Sequence, residues 1–155
     1  MQNWFHKSQF CFIMKIIFDY NRTLFNPETE SLYLGVLDLL KELSKRHKLY
    51  LISRFEASRL GRVKELNIEQ YFQQVFFVED KTLELFNQFV EQDEKTIVIG
   101  DRLCDEIFLG NKLGFTTIWL KQGKFASEEV KNKDEEPNFI VNDIRKINDI
   151  IKIYE

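Results

Sequence analysis

Apolar residues gather along this chain in short runs that alternate with stretches of helical period. Residues 15–20 read KIIFDY, an apolar run ending in an aspartate, which predicts a buried parallel strand with a polar residue at its carboxyl end. Leu34, Val36, Leu37, Leu40 and Leu43 then recur near helical spacing with Lys and Glu between them, predicting an amphipathic helix over 32–46. LYLIS at 49–53, VFFV at 75–78, TIVIG at 96–100 and TTIWL at 116–120 predict four further strands. Helices are expected over 57–66 and around Leu83, Leu85, Phe86, Phe89 and Val90. SEEVKNKDEEP reads as a solvated connection, FIVN as an edge strand, and Asp143 as the cap of a final helix running through Ile153.

Strands that alternate with helical patterns at this spacing argue for βαβ units with right-handed crossovers. The expected class is therefore α/β: a doubly wound, three-layer α/β/α, Rossmann-like fold with a mainly parallel sheet of about five or six strands. The 155 residues suit one domain over 14–155, with residues 1–13 expected as an N-terminal extension the domain does not require. The apolar run Phe10 to Met14 is too short to span a bilayer and lacks a small-residue cleavage site, so neither a membrane anchor nor a signal peptide is expected.

Composition narrows the function. A formal charge of −3 and a pI near 5.6 disfavour general nucleic-acid binding. Cys11 and Cys104 form neither a disulfide framework nor a paired zinc pattern, which fits a reducing, cytoplasmic setting. His6 and His47 show no metal-ligand spacing. Fifteen phenylalanines predict a core built largely from flat rings.

Ligands of an open parallel sheet bind beyond the carboxyl ends of its strands, so the polar residues ending the apolar runs matter most. They are Asp19, Ser53 and Asp101, an arrangement suited to an anion held through a divalent cation. Each alone is weak evidence, since an aspartate at a strand end is more often an ordinary helix cap or turn residue. Asp101 and Asp105, four apart in GDRLCDE, would share one side of a helix's first turn with Glu106 beside them; favourable charge at a helix start is the bland alternative. Lys81 by itself reads as a surface lysine opening a helix, Cys104 as a small buried filler, and Arg22 as an outward turn residue.

Taken together, FDYNRTLF, the serine of LYLISR, the lysine of VEDKTLELF and IGDRLCDEI resemble, in order, the four motifs of the haloacid dehalogenase (HAD)-like superfamily. The resemblance covers roughly Lys15 to Ile153. It implies an aspartate nucleophile at Asp19 that forms an aspartyl-phosphate, with Mg²⁺ held by Asp19, Asp101 and the backbone carbonyl of Asn21 and supported by Asp105. On the same resemblance Ser53 and Lys81 would stabilise the transferring phosphoryl group, Lys81 would also orient Asp19, and Arg54 would join the phosphate contacts. Arg22 could hold a second phosphate or carboxylate in bidentate fashion, and Lys121 and Lys124, around Gly123, could line the rim.

One position departs from the motif. Asn21 stands where the family's phosphatases carry the aspartate that protonates the leaving oxygen and then deprotonates water, and an amide does neither. Losing a general acid and base costs about 10² to 10⁴ in rate. The spacing from Thr23 to Ser53 and from Ser53 to Lys81 leaves little room for an inserted cap domain. The open site would then suit a phosphorylated small molecule, or a larger phosphorylated substrate that covers the crevice itself. Two functions follow from the resemblance: a Mg²⁺-dependent hydrolase of phosphate esters, weakened or altered by Asn21, or a degenerate domain acting as a phosphate-ligand sensor, regulatory subunit or interaction module. A purely structural domain would leave the clustering of Asp19, Ser53, Lys81 and Asp101 unexplained.

Overall fold

The computed structural model describes residues 12–155, so His6, Cys11 and most of the expected N-terminal extension lie outside the described residues. In chain order the elements are β1 (Lys15–Phe18), β2 (Phe25–Asn26), β3 (Ser31–Leu32), α1 (Val36–Ser44), β4 (Lys48–Arg54), α2 (Ala57–Glu65) and β5 (Gln74–Val78). They continue with α3 (Leu83–Asn87), β6 (Thr96–Gly100), α4 (Phe108–Lys112), β7 (Thr116–Leu120), β8 (Phe139–Val141) and α5 (Ile147–Ile153).

Six strands pair in the order β5-β4-β1-β6-β7-β8, and every pairing is parallel. This is the doubly wound, Rossmann-type α/β arrangement expected from the alternating pattern. From β1 the chain winds outward through β4 to β5, then returns to lay β6 against the other side of β1. The direction of winding therefore reverses between β1 and β6, and that reversal opens a crevice at their carboxyl ends.

Alternation along the strands divides the core between the two faces. Ile16, Phe18, Leu49, Leu51, Ile97 and Ile99 pack with Leu40 and Leu43 of α1 and Ile147 and Ile151 of α5. Ile17, Ile52 and Val98 point the other way, onto Phe86 of α3 and Leu109 of α4, with Phe89 and Phe115. β1, β6 and β7 are buried at every position because helices cover both faces. The buried apolar residues are mostly Ile, Leu and Val rather than the flat rings that composition predicted; Phe18, Phe25, Phe72, Phe86, Phe89 and Phe115 are the phenylalanines among them. Central strands closed on both faces favour β-branched and aliphatic side chains, and several rings sit outside, Phe55 among them.

The strands fall where the pattern put them, but two expectations need correction. The first helix begins at Val36 rather than 32, because Gly35 adopts a left-handed φ of 90° and Leu32 is paired with Phe25 in a small antiparallel hairpin. Leu34 and Leu37 are exposed, and Leu39 takes the buried place beside Val36, Leu40 and Leu43. The stretch 127–137 is also less solvated than predicted: Glu135 is buried and accepts from the Lys131 amide, while Glu128 accepts from Arg102 and from the Leu103 amide. Asp143 does cap the terminal helical segment, its Oδ1 accepting from the Arg145 amide at 2.9 Å. His47 is structural: its Nδ1 accepts from the Met14 amide, so the proton sits on Nε2, facing Glu155 at 2.8 Å.

Candidate functional site

β1 and β6 are neighbours, and each ends one residue before an aspartate. Asp19 and Asp101 therefore emerge side by side at the carboxyl edge of the sheet, with the Asp19 amide donating to Ile99 O at 3.0 Å. Past Asp101 the chain makes a π-helical turn, Leu103–Ile107, of the kind that often marks functional sites. This wide turn carries Glu106 back against Gly100, where a Cβ would stand 2.7 Å from Glu106 Oε2. Glycine at 100 thus provides the space that brings Glu106 beside the two aspartates.

Asp19, Asp101 and Glu106 each offer a carboxylate oxygen within 4.8 Å of the others, and all three residues are buried. Lys81 enters from just before the start of α3, where Thr82 caps the helix by accepting from the Leu85 amide. Its Nζ donates to Asp19 Oδ1 at 2.6 Å and to Glu106 Oε1, and its side chain is only 2% exposed. Thr23 Oγ1 donates to the other Asp19 oxygen, Oδ2, at 3.0 Å. Both oxygens of Asp19 are thereby held in place.

Three carboxylates around one ammonium leave negative charge uncompensated, and burial raises its cost. Burial, then the charges of Asp19 and Glu106, push the Asp101 carboxyl up to about 9. Burial likewise lifts Glu106 to about 7 even though Lys81 pulls it down. For Lys81 burial acts to lower the ammonium, but Asp19, Glu106 and Asp105 outweigh it and hold the group above its ordinary range. Asp101 Oδ2 and Glu106 Oε2 are buried without a hydrogen-bond partner among the described residues. Orphaned carboxylate oxygens in a close, electronegative cluster are what a hard divalent cation with oxygen ligands would satisfy, so the residues fit Mg²⁺.

Above the cluster lies a crevice of about 180 Å³ whose lining includes Asp19, Asn21, Arg22, Lys81, Asp101 and Asp105, and with them Arg54, Arg59 and Arg102. Asp105, 15% exposed at its side chain, accepts from Arg54 at 3.4 Å. Ser53 is fully buried; its hydroxyl donates to Arg54 O at 3.1 Å and accepts from Arg59 at 3.2 Å.

The structure thus brings together most of the residues that the sequence singled out, and it adds three. Lys81 is not the surface lysine that its position alone suggested. Cys104 is exposed rather than a buried filler, with an Arg102 N–H 3.1 Å from its sulfur, because the π-helical turn rotates it outward. Lys121 lies over the Trp119 ring, while Lys124 lines an adjoining cavity. Glu106 was named in the sequence only as a neighbour of Asp105, and its role in the cluster depends on the π turn, which has no pattern of its own. Arg59 and Arg102 are ordinary arginines in the sequence; only the fold turns them toward the crevice.

Comparison with known proteins agrees with the fold. Residues 80–147 match a family model described as HAD-hydrolase-like. The chain is 22% identical over 151 residues to a glyceraldehyde 3-phosphate phosphatase of Pyrococcus furiosus, covering 96% of this chain and 59% of the relative. It is 36% identical over 97 residues to the pyrimidine 5'-nucleotidase PynA of Streptococcus pneumoniae, covering 55% of this chain and 41% of the relative. The chain thus spans between 41% and 59% of the length of the curated relatives it matches. Among solved structures, the HAD-hydrolase YfnB of Bacillus subtilis, bound to magnesium, superposes with a TM-score of 0.72 at 14% identity, covering 91% of this chain and 99% of the other. The shared fold is HAD-like. Among the described residues no helix is long and apolar enough to cross a membrane.

Proposed function

We propose that this chain hydrolyses a phosphate ester with Asp19 as nucleophile and Mg²⁺ as cofactor. The observation that carries the reading is the buried cluster itself: Asp19, Asp101 and Glu106 with oxygens within 4.8 Å of one another, and Lys81 bonded to two of them. A structural ion pair has no need of orphaned carboxylate oxygens, whereas a cation and phosphoryl site does. The names of the curated relatives, a glyceraldehyde 3-phosphate phosphatase and a pyrimidine nucleotidase, point to the same reaction class. The magnesium of the YfnB structure supports the choice of metal.

Asp19 and Asp101, with Glu106 or Asp105 and the Asn21 carbonyl, would hold Mg²⁺, which when bound screens the phosphoryl oxygens from the carboxylates. A carboxylate oxygen of Asp19 attacks phosphorus, the bond from phosphorus to the leaving oxygen breaks, and an aspartyl-phosphate forms. Water then attacks that phosphorus, releasing inorganic phosphate and restoring the Asp19 carboxylate. Lys81 and Thr23 keep Asp19 aimed throughout, Lys81 and Arg54 neutralise charge on the transferring group, and the Ser53 hydroxyl would donate to it only by turning away from Arg54 O. Asn21, on the crevice wall, neither gives a proton to the departing oxygen nor takes one from water. Substrates whose leaving groups need little protonation are therefore the ones this site handles best. Because the crevice is open, the substrate is a phosphorylated small molecule or a larger phosphorylated one that covers it.

Asn21 also favours a second reading, in which the domain binds phosphate and metal without turnover and serves as a sensor or regulatory module. Hydrolysis of an activated aryl phosphate, with and without Mg²⁺ and beside Asp19→Asn, separates the two. Metal-dependent turnover absent from the variant supports the hydrolase; no turnover, together with stabilisation by Mg²⁺ and phosphate, supports the sensor.

A further inference from the structure

We propose that the substrate carries a second anionic group, a phosphate or carboxylate, held by Arg22, Arg102 and Lys124 around the Phe125 ring. This rests on the reading of the Asp19 cluster as the first phosphoryl site and adds a determinant of specificity to it. Three cations surround this one ring: the Arg102 guanidinium carbon lies 3.9 Å from its centroid, Lys124 Nζ 5.4 Å and the Arg22 guanidinium carbon 5.7 Å. Arg22, Arg102 and Phe125 line the crevice above Asp19. Arg102, Lys124 and Phe125 also line the adjoining cavity of about 320 Å³, so the group bridges the two spaces.

Arg22 is costly to place there unless it serves a ligand. It adopts φ 63°, a left-handed conformation that a long side chain rarely takes. Its Nε is buried with no hydrogen-bond partner among the described residues. Its nearest carboxylate is Glu28, 3.5 Å away and largely exposed. The surroundings nevertheless hold it in position. Gln122 Nε2 donates to Arg22 O at 3.0 Å, which fixes the backbone from which the side chain leaves. Arg102 is oriented by Glu128, which accepts from its Nε at 2.8 Å and anchors the Leu103 amide with its other oxygen. Glu28 and Glu128 thus face Arg22 and Arg102, whereas Lys124 has no carboxylate within 4.0 Å among the described residues, although Glu129, Lys131 and Glu135 also line the adjoining cavity. Arg102 spends Nε on Glu128 and one Nη on Cys104 Sγ, so its other Nη and the unpartnered Nε side of Arg22 are the donors left for an anion.

The test compares binding of butyl phosphate, a butanediol bisphosphate and phosphobutyrate, in the presence of Mg²⁺, to the wild-type chain, Arg22→Gln, Arg22→Lys and Arg102→Gln. The two doubly anionic compounds are expected to bind at least about tenfold more tightly than butyl phosphate, as one charge-assisted contact supplies. That advantage should largely vanish in both glutamine variants and return in part in Arg22→Lys, with butyl phosphate affinity changed less than about twofold. The bisphosphate and phosphobutyrate arms tell which anion is preferred. Equal binding of all three compounds by the wild type, or an advantage that survives both glutamine variants, overturns the inference. Hydrolysis of an activated aryl phosphate by the same preparations is read separately. Retained turnover with no doubly anionic advantage would refute the second site alone and leave the hydrolase standing.

Discussion

Lys81 Nζ lies 2.6 Å from Asp19 Oδ1, although the two residues are 62 apart in sequence, and the ammonium that holds the aspartate also contacts Glu106. One buried cation thus aims the proposed nucleophile and compensates part of the cluster's charge. Lys81→Met keeps the apolar stem and removes that charge, leaving buried carboxylates unpaired. The expected cost is about 3–5 kcal/mol in metal-free urea unfolding at neutral pH, with turnover on an aryl phosphate lower by about 10² to 10³. A variant that unfolds within about 1 kcal/mol of wild type would mean that the cluster does not depend on Lys81.

A carboxylate placed at position 21 tests whether the proposed hydrolytic site is otherwise complete. Asn21→Asp is expected to raise turnover of alkyl phosphates by about 10² to 10⁴, with a smaller gain on aryl phosphates. The readout is kcat for one substrate of each kind. An equal gain on both, or none, would place the limitation elsewhere.

Gly100 tests the packing that admits Glu106. Gly100→Ala puts a methyl group 2.7 Å from Glu106 Oε2 and 3.0 Å from its Cβ. The carboxylate must move, at a cost of about 1–3 kcal/mol to stability. Half-maximal activation should then need several-fold more Mg²⁺. An unchanged Mg²⁺ titration would show that Glu106 has no part in holding the metal.

Acid should stabilise the metal-free protein across the middle of the pH range. Asp101, raised to about 9, and Glu106, raised to about 7, both bind protons more readily when folded than unfolded. Their contribution is fully present below the ordinary carboxylate range and is lost as pH rises through those folded values. Lys81, raised as well, adds the same sign at still higher pH. With a chelator present, Tm is expected to fall between about pH 5 and pH 9 beyond any general trend, and saturating Mg²⁺ should flatten the fall because the cation replaces the protons. The explanation fails if the metal-free Tm is level or rises over that interval.

Much of this architecture was legible because its strands are central and fully buried. KIIF, TIVIG and TTIWL are continuous apolar runs, and an aspartate directly after two of them can only emerge at the sheet's carboxyl edge. Features made by backbone detail were not legible. The β2 and β3 strands are two residues each, too short to alternate. The π-helical turn that delivers Glu106 looks, in LCDEI, like any helix start. The cations near Phe125 come from Arg22, Arg102 and Lys124, at three places along the chain, and only the return of β6 and β7 beside β1 gathers them.

The strand order also dictates when the site can exist. Lys15 pairs with Lys48 on one side and Thr96 on the other, so β1 is completed only by partners far along the chain. Such pairings, sealed in the middle of the sheet, give way only when the whole fold does. The Asp19 amide, bonded to Ile99 O, should therefore exchange its hydrogen only through global unfolding, whereas amides of the edge strand β8 exchange by local opening. Fraying of the sheet's margins would leave the carboxylate cluster assembled, and a partly folded chain would have no cluster at all.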